Sequence, residues 1–252
     1  MKRAWRKIRV AAVVLGGTFL LYFALLCYPQ SFFAQSIEHQ NLKLYSDQPF
    51  DPEAGAQVLA LAYQKLSASP LFSAKDHYSI FVCHARWRQR LFFNHVYGVG
   101  GVNFYPLTDN VFIRDSIIEE NKLIGPSGQI VASDRPLDYF IAHEITHSLT
   151  GKAIGPLRYH RLSEWVREGY ADYVGKGEAF KYEKTWHAFL ADAPEMDRWR
   201  SGLYLRYHLL VAYLLDKKHW SLSQVLADEI GQKAVEDELR KQLPLPGPTP
   251  GH

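Results

Sequence analysis

The segment "YFIAHEITHSLTG", residues 139–151, decides how the chain is read. It sets His143 and His147 four apart, with Glu144 directly after the first. On an α-helix, positions i and i+4 stack on one face. Two imidazole nitrogens can then reach one Zn²⁺, and Glu144 lies beside the ion, within reach of a water. Alone, the spacing is only moderately specific. With this chain's frequencies of histidine and acid, H-E-x-x-H arises by chance in roughly 2% of such sequences. The bland alternative is a surface helix with two solvated histidines.

A catalytic zinc site takes three protein ligands and keeps one position open. A histidine six residues after His147 would complete one common pattern, but Ala153 stands there. "SEWVREGYADYVG" (163–175) supplies Glu168 instead, on a second helix framed by Ser163 and Gly175. For the first helix, Ser133 and Asp134 offer caps, Pro136 suits the first turn and Gly151 suits the exit. A short connection between two such helices can bring Glu168 back to the histidine pair.

The chain opens with Lys2, Arg3, Arg6, Lys7 and Arg9, and no acid occurs in the first 28 residues. Without these five, 24 basic side chains face 26 acidic ones, so the body is near neutral and nucleic acid is not an expected partner. "VAAVVLGGTFLLYFALLCY" (10–28) follows without a charge. A helix of that length reaches roughly 28 Å, close to a bilayer's hydrocarbon thickness. It reads as an uncleaved signal-anchor, because it is longer than a usual signal-peptide core and no A-x-A-like site follows. Positive charge before it predicts a single-pass protein of the cell (inner) membrane. Residues 1–9 then lie in the cytoplasm and the body in an extracytoplasmic or periplasmic space. Only Cys27 and Cys83 are present, and their contexts predict a fold without a disulfide.

Residues 29–50 read as a stalk, 51–243 as one domain, and the proline-rich 244–252 as a disordered tail. Asp51 and Pro52 open a helix over 51–69. "YSIFVCHA" (78–85) and "NVFIRDSII" (110–118) read as strands on either side of a glycine cluster at 98–101. After the histidine helix, 163–175, 201–219 and 221–243 read as helices. The expected fold class is α+β, a small mixed sheet followed by the active-site helix and a helical C-terminal part.

His143, Glu144, His147, Glu168 and Asp172, with Trp165–Gly169 and "YLRYHLLVAYLL", resemble the gluzincin zinc metallopeptidases. Within that group they are similar to the small minigluzincin or peptidase-MA-like domains. The resemblance spans roughly residues 110–215. It implies a zincin-like domain with Zn²⁺ held by His143, His147 and Glu168, and Glu144 as general base. It also implies that Asp172 orients His143 and that a strand before the helix, here "NVFIRD", pairs with an extended peptide substrate. Tyr204, Tyr207 and His208 are candidates for the oxyanion donor, and the family-like pattern favours Tyr204. His160 lies between the ligand helices and is a candidate for lining the cleft. The implied activity is peptide-bond hydrolysis outside the cytoplasm, with a peptide or protein as partner and the membrane reached through the N-terminal helix. Two other readings keep the metal: a zinc hydrolase of a non-peptide amide or ester, and a non-catalytic zinc-binding scaffold.

Overall fold

An unbroken α-helix, α1 (Lys2–Cys27), begins the structure, a computed structural model that describes residues 2–131, 134–201 and 203–242. Its segment Trp5–Cys27 has a mean hydropathy of 2.3 and is long and apolar enough to cross a membrane. The expected tail at 244–252 lies outside the described residues. Two compact units follow from the contacts, Met1–Gln64 with Ser73–Ser148, and Lys65–Phe72 with Leu149–His252.

In the first unit, residues read as a stalk are sheet. β1 (Gln35–His39) and β2 (Leu42–Ser46) form an antiparallel hairpin. After α2 (Pro52–Ser67), which Asp51 caps through the Glu53 N–H at 2.9 Å, β3 (Tyr78–Val82) pairs parallel to β2. The reading as a stalk failed because β2 is stabilised by β3, a partner more than 30 residues away in sequence. α3 (Arg86–Phe93) leads to β4 (Gly101–Asn103) and β5 (Val111–Ile113), giving a mixed five-stranded sheet ordered β1-β2-β3-β5-β4. The strand expected over 110–118 is interrupted after Ile113, and β6 (Ser116–Ile117) pairs instead with β7 (Lys122–Leu123).

The C-terminal end of α1 is built into this unit. Leu26 is buried in an aromatic cluster with Phe33, Phe81, Phe92 and Phe112. Asn110 Nδ2 donates to the Leu26 carbonyl at 2.7 Å, and the Tyr22 hydroxyl donates to the Leu91 carbonyl at 2.9 Å. Replacing Leu26 with alanine leaves a cavity in a packed core and is expected to cost about 2–5 kcal/mol. Exposed Leu21→Ala serves as the comparison. Urea unfolding of the full chain in detergent checks this; equal midpoints would show that α1 is merely tethered.

α4 (Leu137–Ile154) runs from the first unit into the second. The second unit continues with α5 (Pro156–Arg161), α6 (Glu164–Lys176), α7 (Tyr182–Leu190) and α8 (Arg198–Ser201). α9 (Leu205–Ala212) ends in a π-helical turn at Tyr213–Lys217, before α10 (Leu222–Val225) and α11 (Gln232–Lys241). Helices expected over 201–219 and 221–243 are therefore each broken. The second break has a structural use: Asp228, at φ 56°, accepts from the Ser163 N–H at 2.6 Å and its hydroxyl at 2.7 Å. A continuous helix would remove that support from the start of α6.

Candidate metal centre

α4 is buried from Leu137 to Thr150, so its polar side chains face protein rather than water. Its first turn is held from a distance in the chain. Asn121, in the left-handed region at φ 52°, accepts from the Asp138 N–H through Oδ1 at 3.0 Å and donates Nδ2 to Asp138 Oδ1 at 2.5 Å. The Asn121 carbonyl accepts from the Leu137 N–H at 3.0 Å. This remote asparagine meets donors that helix geometry leaves open. Ser133, one of the expected caps, lies outside the described residues. Gly151 does not end the helix; the chain leaves at Gly155, whose φ of 82° suits glycine.

On this helix and α6, His143, His147 and Glu168 each offer one ligand atom, all within 4.8 Å of one another. All three residues are buried. Among the described residues this is the one His/Cys/Asp/Glu group of three or more that could hold a metal ion. Two imidazoles and one carboxylate fit Zn²⁺, which accepts both nitrogen and oxygen donors in a small coordination sphere. Arg167 Nε donates to Glu168 Oε1 at 3.3 Å.

Glu144 is 8% exposed and lies against β4. A Cβ built on Gly101 would sit 2.6 Å from Glu144 Cγ and 2.9 Å from Oε1, so the carboxylate occupies the space that glycine leaves. β4 is an edge strand, whereas β5, the "NVFIRD" strand, is hydrogen-bonded on both sides. The expected substrate strand therefore has no free ladder to offer. Arg114 holds the loop into β4 instead: its guanidinium donates to the Tyr97 carbonyl and, at 3.1 Å, to Gln89 Oε1. The glycine cluster was legible, but only as a separator.

Gly101→Ala pushes on a side chain rather than on backbone. It is expected to displace Glu144 and to destabilise the protein by about 1–3 kcal/mol, because the nearest atom is the Cγ of a buried side chain. Urea unfolding beside wild type would check this, and an unchanged midpoint would remove the contact's importance.

No family model, curated protein or solved structure matches this chain.

Beside Glu168, Asp172 is buried and has partners the sequence did not announce. Asp172 Oδ2 is 2.9 Å from His208 Nδ1 and 3.7 Å from Lys176 Nζ. Burial pushes the His208 imidazole below its ordinary pKa, against the upward pull of the Asp172 hydrogen bond and charge. A neutral ring with its proton on Nδ1 donates to Asp172. His208 is fully buried and stacks on Phe180 at 3.6 Å, so it is not presented as an oxyanion donor. Tyr204 precedes α9 and lines a cavity of about 230 Å³ with Arg198, Trp199 and Tyr207. The Arg198 guanidinium lies 5.1 Å from its ring centre. His160, on α5, is exposed, with its ring 5.5 Å from Tyr159.

A second constellation mimics a hydrolase relay. At the carboxyl ends of β2 and β3 and beyond β5, His84 Nε2 is 3.2 Å from Ser46 Oγ, and its Nδ1 is 2.8 Å from Asp115 Oδ1. Ser46 is fully buried, and its hydroxyl donates to the Gln48 carbonyl at 2.6 Å. A nucleophile needs access and a proton it can give to the base. This serine has neither, and the chain of bonds braces the strand ends.

Proposed function

We propose that this chain is a membrane-anchored zinc metallopeptidase of gluzincin type. The observation that carries the reading is the buried group of His143, His147 and Glu168, with Glu144 next to the first ligand on the same helix. When bound, zinc supplies a Lewis acid that polarises the scissile carbonyl and acidifies a water. Glu144 takes the water's proton and passes it to the leaving amine. Gly101 leaves the room in which that carboxylate stands. An extended peptide adds to the free edge of β4, which holds its scissile bond beside Glu144. Asp172 fixes the tautomer of His143 through its non-ligating N–H, and Tyr204 donates to the developing oxyanion. α1 spans the bilayer with its basic end in the cytoplasm, so catalysis takes place outside.

The first test is metal content. Full-length protein in detergent is expected to carry about one zinc per chain and to cleave an unfolded protein until a chelator is added. A folded protein with no metal affinity would sink the proposal.

A further inference from the structure

Resting on the reading that α1 spans a membrane, we infer that the flank of the first unit around the outer end of α1 is seated in the interfacial layer of that same bilayer. The depth follows from the contacts. Tyr22 lies five residues inside the end of the Trp5–Cys27 segment, or roughly 7–8 Å along the helix axis. Its hydroxyl holds the Leu91 carbonyl of α3 at 2.9 Å. That segment is roughly 34 Å long, against about 30 Å of hydrocarbon and 40–45 Å with both headgroup layers. An element bonded at the level of Tyr22 cannot stand clear of the headgroups.

The surface there has the matching chemistry. Outside α1, the described residues of the first unit expose seven large apolar side chains. Four of them cluster at this end: Tyr28, Phe32, Trp87 and Leu107. Each is tied to α1 or to its neighbours. The Tyr28 N–H donates to the Ala24 carbonyl, and the Leu107 carbonyl accepts from Cys27 Sγ at 3.8 Å. The Phe32 carbonyl accepts from Arg88, whose guanidinium lies 4.3 Å from the Trp87 ring centre. Trp and Tyr favour the interfacial layer, where one end of the ring is apolar and the other wet. Arg86 and Arg90, exposed on the same helix as Trp87, suit lipid phosphates. Continuity with the spanning helix identifies the occupant as that bilayer rather than a protein.

The seating also places β4. Gly101, against Glu144, is six residues from Leu107, at most roughly 20 Å of chain. A peptide on β4 would therefore lie within roughly 20 Å of the seated flank.

Depth-dependent quenching tests the seating. The full chain, with Cys27→Ser, carries a fluorophore on one cysteine at a time: Leu15→Cys, Trp87→Cys, Leu107→Cys or Ser36→Cys. Cys83 is fully buried. Each variant is reconstituted in phosphatidylcholine–phosphatidylglycerol vesicles with brominated acyl chains. Quenching at 87 and 107 is expected to exceed that at exposed 36 several-fold, with 15 quenched most. Because 87 and 107 are both exposed, each label leaves the core intact and each reports independently. If 15 is quenched while 87 and 107 match 36, the anchor stands and the seating is wrong. If 15 is not quenched, the spanning helix itself is wrong and the seating falls with it.

Discussion

Glu144→Gln is expected to lower peptide hydrolysis by roughly 10²–10⁴-fold while zinc stays bound. Glutamine keeps the volume that fills the space over Gly101, so the helix and strand have no reason to move. It cannot accept the water's proton. His147→Ala and Glu168→Gln should behave oppositely, losing metal and activity together, because each removes one of the three residues that could hold the ion. Turnover of an unfolded protein, read beside zinc content, separates the cases. A Glu144→Gln protein with full zinc and full turnover would exclude Glu144 as the base. If neither wild type nor variant turned over any peptide while both held zinc, a scaffold or a non-peptide hydrolase would replace the peptidase.

What was legible in the sequence was local. His143 and His147 needed only helical periodicity, and α4 needed only its apolar continuity to be placed. Glu168 followed from counting ligands and finding the next helix. The structure does place its carboxylate with the two imidazoles. Long-range pairing was not legible. β4 is three residues long and starts on glycine, so it has no alternating pattern to read. Whether "NVFIRD" lies at an edge or inside depends on β3 and β4, which its own residues do not announce. The same holds for capping: Asn121 and Asp228 support α4 and α6 from 17 and 65 residues away. Breaks in helices escaped for a related reason. The apolar run near 201–219 looks continuous, yet the chain is not helical at Leu203 and Tyr204 and widens into a π turn after Ala212. The buried hydrogen bond between Asp172 and His208 escaped as well, because its partner lies on a helix 36 residues on.

Gly169→Ala is expected to destabilise the protein by about 1–3 kcal/mol, although alanine is the better helix former. In an exposed helix the same change would gain about 0.5–1 kcal/mol. Here α6 and α9 approach so closely that the new Cβ would lie 2.6 Å from the Tyr207 carbonyl oxygen and 2.9 Å from its carbon. Those are backbone atoms of a helix packed along α6, so relief requires one helix to move. Val211 Cγ2, at 2.9 Å, is a third contact, but it can be removed by mutation. Gly169→Ala with Val211→Ala should therefore not recover wild-type stability. Glu168 precedes Gly169, so moving α6 also shifts a carboxylate of the group that could hold the metal. Zinc affinity should then fall in step with the melting temperature, unlike in Glu144→Gln. A melting temperature equal to or above wild type would mean that the two helices do not meet at this glycine.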